Sequence, residues 1–155
     1  LKTNPYSNII ECPINISKEN LNLLSEASIV IDTTDNWYTI KMVNEYCVKK
    51  SIRYMFSSAV NHYIQIALFP NKSNDHTCLN CIFPNKDDLE LPRCETVGIS
   101  SITAGIAGLL SAQKTINSLL NLNNENNILT HFDVIKGNVQ NINLEKNQDC
   151  LLNSC

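Results

Sequence analysis

The residues with the clearest capacity for chemistry are thiols. The chain carries seven cysteines, and four of them form two close pairs, Cys78/Cys81 in Cys-Leu-Asn-Cys and Cys150/Cys155 in Cys-Leu-Leu-Asn-Ser-Cys. Two thiolate pairs can close a tetrahedral shell around Zn²⁺, with each sulfur about 2.3 Å from the ion. Such a shell leaves no open position, so its role would be to fold the chain, clipping the C-terminal tail to a mid-chain loop. Unligated or disulfide-bonded cysteines are the alternative. Nothing after Leu1 reads as a signal or transit peptide, which favours a metal over disulfides. His76, two residues before Cys78, could in principle replace a ligand, but a solvent-exposed loop position is the plainer reading.

A second constellation is acidic. Ile29-Val-Ile-Asp32-Thr-Thr-Asp35-Asn36 puts two carboxylates at the end of a short apolar run, just before a helical period. The C-terminal edge of a parallel strand is where α/β sheets take ligands, and Mg²⁺ beside nucleotide phosphates needs one or two carboxylates. An acid or Asn before a helix also serves as an N-cap. Both roles are open at Asp35 and Asn36. A third candidate is Cys94, in Arg93-Cys94-Glu95-Thr96-Val97-Gly98. A thiol near a helix start and an Arg can be a nucleophile, and a buried structural thiol is the alternative. Cys12 and Cys47 fall within apolar periods and read as core thiols. His62 and His131 join no triad that spacing alone can argue.

The elements that must position these groups follow from the apolar spacing. Residues 9–12 read as a short strand, and Asn15 or Ser17 as the start of a helix through Leu24. Residues 27–32 and 52–56 read as buried parallel strands flanking a helix over 36–50, whose apolar residues recur at Ile40, Val43, Cys47 and Val48. Residues 63–69 suggest a strand running into a polar loop, 70–93. Helical signals return over 99–120, where Gly98, Gly105 and Gly108 would permit close backbone approach. An Asn-rich connector, 121–127, leads to a hairpin, 128–135 and 138–144, around Lys136-Gly137. The expected fold class is α/β: a mostly parallel sheet with antiparallel C-terminal strands. With 155 residues the chain can bury a core of its own. Its 43% hydrophobic and 17% charged residues exclude a disordered tail. The apolar stretch 99–120 is too polar to span a bilayer. A net charge of -3, with no basic stripe, speaks against nucleic acid as a partner.

Taken in order, these motifs resemble the ThiF/MoeB/HesA family, relatives of the ubiquitin-activating enzymes. Asp32-Thr-Thr-Asp35-Asn36 with Val43-Asn44 and Cys47 is similar to the family segment D-x-T-D-N…[IV]-N-x-x-C. Cys78-Leu-Asn-Cys81-Ile-Phe-Pro84 is similar to its C-x-x-C-L-F-P zinc knuckle, and Cys94 to Gly98, then Gly105 and Gly108, to the stretch around its reactive cysteine. His131-Phe-Asp133 and Asp149-Cys150 resemble the closing strands and the second knuckle. The resemblance spans nearly the whole chain. It implies a Rossmann-like fold with a structural four-cysteine zinc site at Cys78, Cys81, Cys150 and Cys155. It also implies ATP and Mg²⁺ at Asp35 and Asn36, and a reactive thiol at Cys94 in members that use one.

The activity so implied is adenylation of the C-terminal glycine of a ubiquitin-like sulfur-carrier protein, by a cytoplasmic homodimer. The expected domain assignment is that residues 1–155 form the C-terminal part of an adenylation domain. No GxGxxG or GxxxxGK[ST] occurs in the sequence, so the phosphate-binding segment is expected upstream of Leu1 or on another chain. A start without Met fits a fragment or a processed chain. Three departures from the family stand out. Ile40, with Lys41 beside it, occupies the place of a common Arg, a usual Pro is missing after Gly98, and the last cysteine pair has a four-residue spacer. That spacer is similar to the enzyme activating the ubiquitin-fold modifier, which would form a thioester at Cys94, whereas Cys-Ile-Phe-Pro favours the sulfur-carrier branch. A non-catalytic scaffold that binds a ubiquitin-like protein is the reading from another class. A nicotinamide-dependent oxidoreductase is disfavoured by the knuckles and the absent GxGxxG.

Overall fold

In the computed structural model, residues 4–70, 77–84, 97–122, 127–150 and 152 are described. Five strands form one sheet in the order β1-β2-β3-β4-β5: Ile29–Asp32, Arg53–Val60, Tyr63–Phe69, Ile128–Asp133 and Asn138–Asn143. Helix α1 is Trp37–Lys49, α2 the short turn Leu79–Ile82, and α3 Ser101–Leu119. Strand β1 runs parallel to β2, and the next three pairings are antiparallel. Among the described strands only β1 and β2 pair in parallel, and the expectation of a mostly parallel sheet is corrected to a mixed one. Helix α1 carries the chain from β1 to β2, the kind of crossover a parallel pair needs. For β2 and β3 the physical reason is connection length. Asn61-His62 closes β2 onto β3 too tightly for any but an antiparallel return, aided by the left-handed φ of +56° that Asn tolerates at 61.

Alternation along β2 sends side chains to two cores. Tyr54 and Phe56 join Trp37, Ile40, Val43 and Cys47 of α1, with Phe69 and Leu79. Met55 joins Ile64, Ile66 and Leu68 against Ala107 of α3. The two helices bury different kinds of face. Helix α1 buries large apolar residues, whereas α3 buries Thr103, Ala107, Ser111 and Thr115 at four-residue steps. Ser111 Oγ donates to Ala107 O and pairs with the Ser57 hydroxyl on β2, and the Arg53 guanidinium donates to Ser118 O in the last turn of α3. A cation there also complements the helix dipole.

The expected helix starting at Asn15 or Ser17 is a single 3₁₀ turn, Leu21–Leu24, and residues 9–12 form no strand. Ile9 and Ile10 are 56% and 83% exposed, so among the described residues the apolar run finds little to pack against. Cys12 is exposed rather than in the core, while Cys47 is fully buried. Gly105 and Gly108 do not mark close approach among the described residues, since a methyl group at either would meet no atom within 4 Å. Among those residues no helix is long and apolar enough to cross a membrane.

Candidate functional site

At the C-terminal ends of β1 and β2 the chain opens into a pocket of about 650 Å³, a size that suits a small-molecule ligand. The two acids that precede α1 part company here. Asp32 is 4% exposed and points inward: Oδ1 accepts the Thr34 N–H at 2.9 Å and the Thr34 hydroxyl at 2.7 Å, and Oδ2 accepts the Tyr54 hydroxyl at 2.7 Å. Its oxygens are thus spent on turning the chain out of the sheet. Burial and the Asp32 charge together push the Tyr54 hydroxyl well above the usual phenol range, so it stays a donor. Asp35 is exposed and lines the pocket with Thr33 and Thr34. The next residue, Asn36, caps α1 by accepting the Thr39 N–H at 3.0 Å. Of the two roles open at this motif, the cap falls to Asn36 and the pocket to Asp35.

The facing wall is aromatic. Trp37 meets Phe83 edge to face at 5.4 Å, Phe56 lies 6.3 Å from Phe83, and all three line the pocket with Ile40. Ser57, Ser58, Gln65, Tyr63 and His131 continue the lining along β2, β3 and β4. Gln65 and His131 meet because β3 and β4 pair in that register. None of these residues was singled out in the sequence as a pocket residue, because only strand register brings them together. Cys94 lies outside the described residues. Three positions on, Val97 lines the pocket, as does Ile99, and the Gly98 carbonyl accepts the Asn61 N–H at 3.1 Å. Gly98 holds φ +73°, a conformation other L residues resist, which accounts for glycine there.

The second cluster is the thiol site. Cys78 Sγ lies 3.8 Å from Cys81 Sγ and 3.7 Å from Cys150 Sγ, and all three sulfurs lie within 4.8 Å of one another. Four sulfurs about 2.3 Å from a tetrahedral Zn²⁺ would stand about 3.8 Å apart, so the donor set fits that ion. The Cys81 thiol is pulled well below its ordinary range by the hydrogen bond from Cys78, against the opposing effect of burial. Backbone hydrogen bonds, one of them with Asn147, add to the pull. Buried Cys47 behaves oppositely: desolvation, then the Asp32 charge, pushes it up to about 12, which makes it an inert core thiol. Cys155, the expected fourth ligand, and His76 lie outside the described residues. Val48 and Leu152 back the three sulfurs.

Comparison with known proteins adds three findings. The model of the ThiF family matches residues 1–152. Among curated proteins, the chain is 30% identical over 138 residues to the adenylyltransferase and sulfurtransferase MOCS3 of Culex quinquefasciatus, covering 87% of this chain and 31% of that protein. It is 25% identical over 127 residues to the sulfur carrier protein ThiS adenylyltransferase of Escherichia coli K12, covering 82% of this chain and 50% of that protein. The chain therefore spans between about a third and a half of these relatives. Among solved structures, E. coli MccB crystallised with ATP superposes with a TM-score of 0.72 at 18% identity, over 92% of this chain and 45% of that one. At that identity the likeness speaks to fold alone.

Proposed function

This chain belongs to the ThiF family, and from that premise we propose that it is the C-terminal part of an adenylation domain acting on a ubiquitin-like sulfur-carrier protein. The carrier's terminal glycine carboxylate would attack the α-phosphorus of ATP, forming a carboxyl–phosphate bond and releasing pyrophosphate. That step needs charge neutralisation and in-line positioning rather than an acid or base. The observation that carries the reading is Asp35, an exposed carboxylate on the pocket at the C-terminal edge of the one parallel strand pair. In this reading Asp35 holds Mg²⁺ beside the phosphates, and Asn36 fixes the helix that starts there. The phosphate-binding loop is supplied from outside these 155 residues, in keeping with the share of each relative the chain covers.

The thiol cluster completes the proposal as a structural zinc site, with Cys155 as its fourth ligand. The sulfur spacing supports it. A zinc ion there would supply folding energy and no open coordination position.

The test is exchange of labelled pyrophosphate into ATP by this chain joined to a Gly-rich phosphate loop. Exchange should require a carrier ending in Gly-Gly, and a carrier lacking the last glycine should give background rates. Carrier-independent exchange, or tight carrier binding without exchange, would overturn the reading; the second outcome selects the scaffold. Titration of ATP into the 155-residue chain alone should show weak or no binding.

A further inference from the structure

Helix α2, four residues long, carries Cys81 of the thiol cluster and leads to Phe83 on the pocket wall, and its start poses a capping problem. The first N–H groups of any helix lack intrahelical acceptors, and the preceding residue normally satisfies one of them with its side chain. Here that residue is Cys78, which makes no side-chain cap bond. Its sulfur sits among the other two thiols instead. The first of those N–H groups finds an acceptor elsewhere in the chain. Asn44, on α1 and 0% exposed, accepts the Leu79 N–H with Oδ1 at 3.2 Å, and its Nδ2 donates to Asn80 Oδ1 at 3.4 Å. The far end of α2 runs to Phe83, whose N–H is held by Leu79 O at 2.9 Å and whose ring meets Trp37, the first residue of α1.

We propose that Asn44 is the positioning residue of the thiol site: it supplies from α1 an acceptor for the first N–H of α2, and through α2 it links metal occupancy to the Trp37–Phe83 wall of the pocket. The inference rests on the zinc reading above and goes beyond it. Among the described residues Asn44 hydrogen-bonds to Leu79 and Asn80 of α2, not to a cysteine sulfur. It fixes the backbone that aims Cys78 and Cys81, and outer groups of this kind typically change metal affinity by about 10- to 100-fold.

The experiment loads the chain with Zn²⁺, removes free metal, and follows release to a chromogenic chelator. Asn44→Ala should release zinc at least about ten-fold faster than wild type. Asn80→Ala, which leaves the Leu79 acceptor in place, should stay within about two-fold, as should Thr130→Val, a buried polar loss on β4 away from the cluster. Should Asn44→Ala fail to fold, Asn44→Ser, whose hydroxyl is shorter by about one bond, must show the same acceleration. Trp37 is the sole tryptophan, so its emission reads the far end of the strap. Stripping zinc from the wild type should shift that emission to the red while the far-UV helix signal persists. Zinc bound, but with release from the Asn44 variants within about two-fold of wild type, overturns the positioning role alone. An unchanged Trp37 emission, or loss of the helix signal on stripping, overturns the link to the pocket. A chain that retains no zinc overturns the metal reading and this inference with it.

Discussion

The thiol cluster, which includes Cys81 of α2, and the pocket, reached by Phe83 just after α2, are built by opposite means. The cluster gathers three sulfurs, two from one short spacing and the third from Cys150 far along the chain, backed by Val48 and Leu152. The pocket takes its lining from widely separated stretches of chain, with Asp35 at its mouth and aromatic rings on one wall. A closed set of like donors serves stability, because every ligand is consumed in holding the chain. An open set of unlike groups serves chemistry, because its carboxylate remains available to a ligand. If that division holds, substitutions at the two sites should separate stability from activity.

The largest effect is expected at the cluster. Cys78→Ser should abolish zinc retention and cost several kcal/mol, since structural metal sites return their binding energy as folding energy. Thermal unfolding with metal analysis checks this, and a variant as stable as wild type would break the comparison. At the pocket, Asp35→Asn should leave the unfolding midpoint nearly unchanged, because the side chain is exposed, yet lower carrier-dependent exchange by about 100-fold, the scale of one lost transition-state electrostatic contact. Loss of stability without loss of rate would reverse the assignment. Next in size, Tyr54→Phe strands a buried Asp32 oxygen and should cost about 1–3 kcal/mol in denaturant unfolding. Asn36→Ala removes the α1 cap and should cost about 1 kcal/mol.

The smallest effect is one of pH. Asp133 accepts the Ile135 and Lys136 N–H groups, each at 3.1 Å, in the β4–β5 turn. The bond from Lys136 chiefly holds its carboxyl below the ordinary value. A group whose folded value is depressed stabilises above its unfolded value, near about 4, and loses that contribution as pH falls through the folded value. Asp133→Asn should therefore flatten the acid limb of the stability profile, with no change near neutral pH in its slope. An unaltered limb would show that the turn does not depend on the charge.

How much of this was legible in the sequence follows the same division. The α1 period at Ile40, Val43 and Cys47 and the hairpin around Gly137 read correctly, because burial repeats at fixed spacing along one element. Cys78 and Cys81 stood out because two thiols three residues apart can meet across one short turn, as their sulfurs do. Residues 9–12 misled, since an apolar run looks the same whether or not a partner surface lies against it, and among the described residues Ile10 finds little. The mixed sheet was half visible: the tight connection at Asn61-His62 dictates an antiparallel return, but β3 to β4 spans too much chain for length to decide. Ser57, Gln65 and His131 escaped notice as pocket residues because only strand register puts them on one pocket. Asn44 appeared as one letter of a motif. Its contact, with the first N–H of a helix whose N-cap is a cysteine of the thiol cluster, emerges only when α1 and α2 are seen together.

The central claim is that the pocket beside Asp35 belongs to a carboxylate-adenylating site. Intact-mass spectrometry tests it most directly, on a Gly-Gly carrier incubated with ATP, Mg²⁺ and this chain joined to a phosphate-binding half. The account predicts a carrier species heavier by one adenylyl group, absent with Asp35→Asn and absent when the terminal glycine is removed. A carrier that binds the protein and stays unmodified, or an adduct undiminished by Asp35→Asn, would contradict it.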